Sequence, residues 1–316
     1  MQIGDMLSDR IKELLTSGKA DRVFAWETGE LVFDRSPRVF SKGLKGFVYD
    51  DFCIQNLCKY MIEETKKDGK ILVLLKPCDT RGLELLKKEN RIKRDKIYAL
   101  GVPCGGMADG EKIKKLGIKG ILSVRDGGDV FVIETAEGEK TVDKSDVTAD
   151  KCLSCQSKEH IDCDELFMPE KSKDTAVIDR FVQVEEIEKM TEDERFSFWR
   201  SQLSKCIRCN ACRNVCPACS CEKCIFDNDN SGMASKANAD DFEESLYHII
   251  RSFHVCGRCV DCGECSRVCP QNIPLHLINR KYIKDISMLY GSEDKPALLT
   301  FDKNDPEPDF LSGRGI

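Results

Sequence analysis

The chain has 316 residues, of which 41% are hydrophobic, and this length can bury either one large core or two ordinary ones. Its formal net charge of −6 comes from interspersed acidic and basic residues, which argues against a nucleic-acid-binding surface. The sequence contains no run of roughly 18 apolar residues, so it predicts no membrane span. Residues 1–15 are typical of an amphipathic helix and not of a secretory signal, and we expect a cytoplasmic protein.

A helix followed by a βαβ unit is predicted in residues 54–102. The first helix carries apolar residues at helical spacing, namely Ile54, Leu57, Cys58, Met61 and Ile62. The run ILVLL at residues 71–75 is typical of a strand that is buried on both faces, and residues 97–102 repeat this pattern after a predicted helix at 80–90. Two strands joined by a helix predict a parallel sheet.

Both predicted strands end in the dipeptide Pro-Cys. This position places Cys78 and Cys104 at the carboxyl edge of the sheet, where α/β folds bind ligands. Four residues beside these cysteines are candidate cofactor contacts, namely Asp79, Arg81, Gly105 and Gly106. The glycines leave room for a bulky group. Asp79 and Arg81 have an alternative role at the start of the next helix, where an aspartate suits the helix dipole.

The 19 cysteines are too many to be explained as buried small hydrophobic residues, and in a reducing compartment they indicate metal ligation. In the first part of the chain, the C-x-x-C pair Cys152 and Cys155 could join Cys78 and Cys104 in one site, with Cys163 as the competitor for any one place. We favour a 4Fe-4S cluster there. A zinc clip or free thiols are the alternatives, because ligand softness alone does not separate iron from zinc.

The segments KPCDTRGLELLKKENRIKRDKIYALGVPCGGM and CLSCQSKEHIDCDELF resemble the beta subunits of coenzyme F420-reducing hydrogenases and F420-dependent formate dehydrogenases. The resemblance covers about residues 50 to 168, and its core is the two Pro-Cys strand ends with the later C-x-x-C. It implies a bound cluster, a bound flavin and electron exchange with the deazaflavin F420. The chain contains no flavin-holding Gly-rich stretch, and a second cysteine-rich module follows this region instead of preceding it. We therefore carry over the iron–sulfur role and keep FAD as an alternative cofactor.

The strongest signal is a cysteine motif, C-x-x-C-x-x-C-x-x-x-C-P, that occurs at residues 206–217 and again at 259–270. Three thiolates at three-residue intervals can bind three irons of one cubane, whereas the fourth, before the proline, reaches the other cluster. The predicted ligands of cluster one are Cys206, Cys209, Cys212 and Cys269. Those of cluster two are Cys259, Cys262, Cys265 and Cys216. Structural zinc prefers two separated C-x-x-C pairs, so the spacing favours two 4Fe-4S clusters.

Helices are predicted between and after the two motifs. The first has one apolar face, formed by Phe242, Leu246, Ile249, Ile250 and Phe253. The second covers residues 273–289, with Pro274 in its first turn. This layout resembles the helical ferredoxins of heterodisulfide reductases and succinate dehydrogenases over roughly residues 186 to 290. The resemblance implies a helical ferredoxin.

The remaining cysteines and the histidines have plainer interpretations. Cys53 and Cys58 are expected in the core. Four further cysteines could form a fourth metal site or could simply pack near the clusters, and we favour packing; they are Cys219, Cys221, Cys224 and Cys256. The histidines show neither metal-ligand spacing nor a nearby nucleophile motif; they are His160, His248, His254 and His276. A structural or surface role is expected for His248 and His254, which belong to the helix before the second motif.

These features predict an α/β N-terminal domain with a parallel sheet core at residues 1–185, a mostly α-helical ferredoxin-type domain at 186–292 and an extended tail at 293–316. The predicted function is that of an iron–sulfur electron-transfer subunit in a soluble multi-subunit oxidoreductase of the hydrogenase, formate dehydrogenase or heterodisulfide reductase type. Its partners would be the catalytic and flavin-containing subunits. Two other classes stay open: a flavin-containing subunit that itself oxidises or reduces F420, and a metal-stabilised interaction scaffold.

Overall fold

The computed structural model describes residues 3–168, 178–228 and 241–290, and the predicted tail at 293–316 lies outside these ranges. Strands β1 to β9 span Arg22–Thr28, Arg35–Phe40, Phe47–Val48, Ile71–Leu75, Ile97–Gly101, Ile121–Asp126, Val130–Thr135, Gly138–Asp143 and Glu165–Leu166. Helices α1 to α6 span Ile3–Thr16, Met61–Glu64, Pro77–Lys88, Gly110–Lys115, Lys144–Val147 and Asp150–Leu153. Helices α7 to α12 span Val182–Glu188, Glu192–Leu203, Ala211–Asn214, Asp241–Val255, Glu264–Arg267 and Leu275–Tyr290.

A mostly parallel sheet organises the first half of the chain. Its strand order is β2-β1-β4-β5-β9, and β3 pairs with β1. Strands β1, β4, β5 and β9 run parallel, whereas β2 and β3 are antiparallel to β1. All five residues of β4 are buried, as expected for a strand with both faces covered. The predicted βαβ unit and the predicted α/β class of this region are therefore confirmed.

The segment before β4 is less helical than its apolar spacing predicts. A short 3₁₀ turn at Cys58–Tyr60 leads into α2, so the regular helix begins at Met61. Side chains bond the preceding backbone amides, because Asn56 accepts from the amide of Cys58 and Asp79 accepts from the amide of Leu57. The apolar residues predicted for this helix are nevertheless buried. Cys53 and Cys58 are fully buried, which confirms their predicted place in the core.

A second, three-stranded antiparallel sheet, β6-β7-β8, was not predicted. It has its own small core, in which Phe131, Ile133 and Val142 pack against Phe52 and Ile113. The burial of β7 alternates along the strand, as it does when one face of a sheet is covered and the other meets solvent. This sheet lies in the chain between the Pro-Cys strand ends and the C-x-x-C pair.

The last third of the described chain is helical, as predicted. Helix α12 begins directly after Pro274, which agrees with the expected helix at 273–289. Helix α7 crosses the predicted domain boundary at residue 185, and it packs on α12, where the Lys284 ammonium lies 2.7 Å from Glu188 and 3.1 Å from Glu185. Within the ranges given above, no helix is long and apolar enough to cross a membrane.

Helix α10 is where predicted, but its predicted apolar face does not pack inward. Phe242, Ile249 and Phe253 are 72%, 46% and 60% exposed. Its buried side is instead mostly polar and carries Glu244, Tyr247, His248, Arg251, Ser252 and Val255. This orientation follows from what the helix covers, since its polar side faces the cysteines described below.

Candidate metal centre

The two cysteine motifs fold with the same local backbone. Arg208 and Asp261, at equivalent places in the two motifs, both have positive φ angles, of 54° and 52°. Asn210 and Gly263 follow the second cysteine of each motif with φ angles of 60° and 68°. The short helices α9 and α11 begin at the next residue. Left-handed residues reverse the chain direction over a few positions, so each motif forms a tight loop around a recess.

Recess one has about 320 Å³ of empty space, counting the part that is open to solvent, and its cysteines come from both motifs. Its lining includes Cys206, Cys209 and Cys212 from the first motif and Cys269 from the second. Recess two has about 370 Å³ of empty space by the same measure, and it is lined by Cys259, Cys262 and Cys265 together with Cys216 from the first motif. The structure thus brings together the same two sets of four thiols that the spacing predicted, including the exchange of the fourth cysteine.

The residues that line these recesses suit iron–sulfur clusters. Each presents four soft sulfur donors and lies under a mainly apolar wall, which is the environment of a protein-bound 4Fe-4S cluster. In the part of the chain that the structure describes, no group of three or more His, Cys, Asp or Glu side chains forms a site for a single metal ion. The cysteines line larger spaces instead.

A buried arginine lies among the cysteines of both recesses. Arg251 on α10 is 3% exposed, and its guanidinium donates a hydrogen bond of 3.1 Å to the carbonyl of Cys212. Burial disfavours its charge, yet the nearby sulfurs, above all those of Cys216 and Cys219, raise the pKa of Arg251 well above its usual value. A permanent positive charge therefore stands beside the sulfur ligands of both recesses.

The two recesses have different polar walls. His248 in recess one is 2% exposed, and burial together with the charges of Arg251 and Arg208 lowers the pKa of His248 to about 3. In recess two, His276 Nδ1 lies 2.8 Å from the hydroxyl of Ser266. The neighbouring Asn279 amide donates to the sulfur of Cys265 at 3.9 Å.

The other two histidines lie outside the recesses. His160 Nε2 lies 2.9 Å from the carbonyl of Leu75, at the end of β4, and His254 is exposed. The exposed position of His254 agrees with its predicted structural or surface role. The positions of His248 and His276 at the recess walls were not visible in the spacing of the sequence.

The cysteines of the N-terminal part gather around a buried lysine and a buried tyrosine. Lys151 is within electrostatic reach of Cys78 and Cys152, and Cys78 is within reach of Cys155. Burial and the sulfurs of Cys104 and other nearby cysteines raise the pKa of Tyr49, whose hydroxyl donates 2.6 Å to the carbonyl of Pro103. The same core is flanked by Cys104, Cys152 and Cys163.

The candidate cofactor contacts at the sheet edge divide into two groups. Asp79 is fully buried and accepts hydrogen bonds from the amides of Lys76 (2.9 Å) and Leu57 (3.2 Å), which fits its alternative role at the start of α3. Gly105 has open space where a side chain would stand, and Gly106 has a φ of +105°. Arg81 is half-buried near the start of α3, and across the described ranges its Nε has no hydrogen-bond partner.

The four cysteines for which two roles were open have different contacts. The thiol of Cys219 hydrogen-bonds the sulfur of Cys216 and so lowers the pKa of Cys216 to about 5. Cys224 bonds the side chain of Arg213, and Cys221 is exposed. Burial and the carboxylate of Asp285 raise the pKa of Cys256. Packing near the two recesses stays the prediction for these thiols.

Two buried polar networks join the N-terminal cysteines to recess two. In the first, Lys151 lies 2.5 Å from Glu264, which lines recess two, and the two side chains are 6% and 1% exposed. Burial opposes ionisation of Glu264, yet Lys151 and Arg267 together lower the pKa of Glu264 to about 2. A side chain at Gly263 would stand 2.5 Å from the Cβ of Lys151, so only glycine allows this close approach.

The second network runs through Arg280 on α12. Its guanidinium donates 2.8 Å to the hydroxyl of Ser154, between Cys152 and Cys155, and 2.7 Å to Asp261, between Cys259 and Cys262. The loop of the C-x-x-C pair therefore docks directly on the loop that forms recess two. Neither network was predicted, and the only signal in the sequence is that Lys151 and Glu264 each precede a cysteine.

Sequence comparisons agree with this architecture. A family model described as a 4Fe-4S dicluster domain matches residues 202–273. A 75-residue stretch is 36% identical to putative ferredoxin-3 of Sinorhizobium fredii and covers 23% of this chain and 70% of that protein. The fold and the paired recesses thus define an iron–sulfur protein, and the chain belongs to the proteins with a 4Fe-4S dicluster domain.

Two full-length relatives narrow this class. The beta subunit of the F420-dependent formate dehydrogenase of Methanocaldococcus jannaschii is 25% identical over 342 aligned positions, covering 90% of this chain and 89% of that protein. The beta subunit of F420-dependent formate dehydrogenase 1 of Methanococcus maripaludis is 27% identical over 370 positions, covering 94% and 93%. Over nine-tenths of its length the chain is a homologue of F420-dependent formate dehydrogenase beta subunits. The resemblance seen in the sequence and the predicted iron–sulfur electron-transfer role are confirmed.

Proposed function

We propose that this chain is the electron-transfer subunit of an F420-dependent formate dehydrogenase type of complex, with two 4Fe-4S clusters in the recesses and a third at the N-terminal cysteines. The observation that carries the proposal is the pair of recesses that exchange their fourth cysteine. When bound, the clusters supply one-electron storage and transfer. The exchanged cysteines tie the two halves of the module into one unit, so both recesses keep a constant separation.

The proposed ligands are those of the sequence motifs. In recess one they are Cys206, Cys209, Cys212 and Cys269, and in recess two they are Cys259, Cys262, Cys265 and Cys216. The chain also places fixed polar groups against these sulfurs. Arg251 offsets negative charge in both recesses, and Asn279 donates a hydrogen bond to the sulfur of Cys265. Both contacts stabilise the reduced, more electron-rich state of a bound cluster and so raise its reduction potential.

A third cluster at Cys78, Cys104, Cys152 and Cys155 is proposed with Cys163 as the substitute for one ligand. Its support is the electrostatic proximity of Cys78 to Cys155 and the shared neighbour Lys151. The buried pair of Lys151 and Glu264 then places the N-terminal site next to recess two in the proposed row of three sites. The N-terminal site adjoins recess two. Recess two adjoins recess one, because each of them takes one cysteine from the motif of the other.

The partners proposed for this chain are a catalytic subunit and a flavin-containing subunit, because its full-length relatives are named as subunits of F420-dependent formate dehydrogenases. One observation favours a second candidate function. The open space at Gly105 and the half-buried Arg81 at the sheet edge could accept a flavin on this chain itself. The chain would then oxidise or reduce F420 directly.

Anaerobic purification tests the proposal. We expect a brown protein with about twelve iron atoms per chain for three clusters, or about eight if the N-terminal site holds none. Reduction should produce electron paramagnetic resonance (EPR) signals of interacting 4Fe-4S clusters. A colourless, iron-free protein would overturn the proposal. Flavin released by acid, together with turnover of F420 by the isolated chain, would establish the second candidate.

A further inference from the structure

His248 is a buried polar side chain whose bonding is incomplete. It is 2% exposed, and neither Nδ1 nor Nε2 has a hydrogen-bond partner among the residues that the structure describes. A buried donor without an acceptor is uncommon in a folded protein and costs free energy. Such an imidazole is normally explained by a group that completes its bonding.

The surroundings of His248 indicate where the missing acceptor lies. The charged side chains nearest in electrostatic influence are Arg251 and Arg208, which carry donors only and cannot accept from an imidazole N–H. The ring of Tyr247 lies edge-on to His248 at 5.0 Å, and its hydroxyl is bonded to Asn210 at 3.0 Å. Glu244, one turn earlier on the same buried side of α10, lies 3.6 Å from the guanidinium of Arg208 and is paired with it. His248 also lines recess one together with four cysteines, so the sulfurs of that recess are acceptors in its surroundings.

The polar side chains of recess two can be compared with His248 in recess one. The histidine of recess two, His276, has a partner for Nδ1 in the hydroxyl of Ser266 at 2.8 Å. In this recess the hydrogen-bond donor to a sulfur is a side-chain amide, since Asn279 donates to Cys265. Both recesses thus have a helix residue facing their sulfurs, on α12 in recess two and on α10 in recess one. The bond is already formed in recess two.

We propose that His248 donates its ring N–H to a sulfur of the cluster in recess one and thereby raises the reduction potential of that cluster; this inference rests on the proposed iron–sulfur function. A hydrogen bond to sulfur stabilises the electron-rich reduced state, so its loss lowers the potential. His248 is in this sense a positioning and tuning residue. It does not act as a ligand.

Redox titration of the full-length protein, followed by EPR, tests the inference. We expect His248→Leu to shift the midpoint potential of one cluster to a more negative value and to leave the other clusters unchanged. His248→Asn, which keeps an N–H donor, should restore part of the shift. The matched control is His254→Leu, since His254 is on the same helix but exposed, and its potentials should equal those of the wild type.

Equal potentials in His248→Leu and the wild type, or an equal shift of every cluster, would overturn the inference. If His248→Leu fails to assemble the cluster, the wild-type protein labelled with ¹⁵N-histidine decides the matter. Pulsed EPR should then detect coupling between one reduced cluster and a histidine nitrogen, and this coupling should persist in labelled His276→Gln, which lacks the histidine of recess two. Absence of the coupling in either protein would refute the bond. A protein without iron would refute the proposed function itself, whereas normal clusters with an unmoved potential would refute only the role of His248.

Discussion

Recess one and recess two are built by the same cysteine motif, yet they have different neighbours. Recess two is covered by the N-terminal part of the chain, through Lys151 on Glu264 and through the packing of Leu85 near Cys216 and Cys262. Recess one has exposed residues at its rim, because Ile207 is 61% exposed and Cys209 is exposed as well. An identical motif therefore gives one enclosed site and one site near the surface. The motif determines which thiols line each recess, and the fold determines which recess lies near the surface.

The largest expected effect comes from changing a cysteine that one motif contributes to the recess of the other. We expect Cys269→Ser to remove the cluster of the first motif and to reduce iron by about four atoms per chain, because Cys269 lines recess one. Its EPR spectrum should match that of Cys206→Ser and differ from that of Cys259→Ser. Cys221→Ser is the control, since this cysteine is exposed. A Cys269→Ser spectrum that matches Cys259→Ser would show that the motifs do not exchange ligands.

The next effect concerns the junction that encloses recess two. Lys151→Met leaves Glu264 buried with only part of its counter-charge, and we expect a loss of about 3 kcal/mol in the free energy of unfolding. The control is Lys66→Met, which breaks an exposed pair with Glu63 and should cost less than about 1 kcal/mol. Denaturant unfolding of the two variants measures the difference. Similar losses in both would mean that the buried junction contributes little.

A smaller effect should distinguish the sulfur donors of the two recesses. Asn279→Leu removes the amide that donates to Cys265, and the potential of the cluster in recess two should fall by on the order of 40 mV, the equivalent of roughly 1 kcal/mol for one electron. The potential of the cluster in recess one should not change. EPR-monitored titration gives both values, and a shift confined to recess one would contradict the assignment of walls to recesses.

The smallest effect is expected on the outer side of α10. Phe253→Ser changes a residue that is 60% exposed, so the free energy of unfolding should change by less than about 0.5 kcal/mol. Val255→Ala, two residues further on, empties space in the apolar cluster beside recess two and should cost about 2 kcal/mol. Thermal unfolding compares the variants. A larger loss for Phe253→Ser would mean that this apolar face is covered.

Local patterns predicted much of this molecule. The parallel strands β4 and β5 follow from two apolar runs, since a strand buried on both faces needs apolar residues throughout. The face of α10 was not predictable from its apolar spacing. A helix normally buries its apolar side, but here the buried side carries His248 and Arg251 against the cysteines. Apolar spacing describes packing against a hydrocarbon core, and a recess lined by sulfur ligands is a different environment.

The amino-acid sequence by itself determined the sets of thiols, because three-residue spacing and a following proline act through covalent geometry that holds in any fold. Only the tertiary structure decided what stands around those thiols. Lys151 and Glu264 are 113 positions apart in the chain, and no local pattern relates them. Their contact places the N-terminal cysteines beside recess two, and each charge stays buried there because the other compensates it.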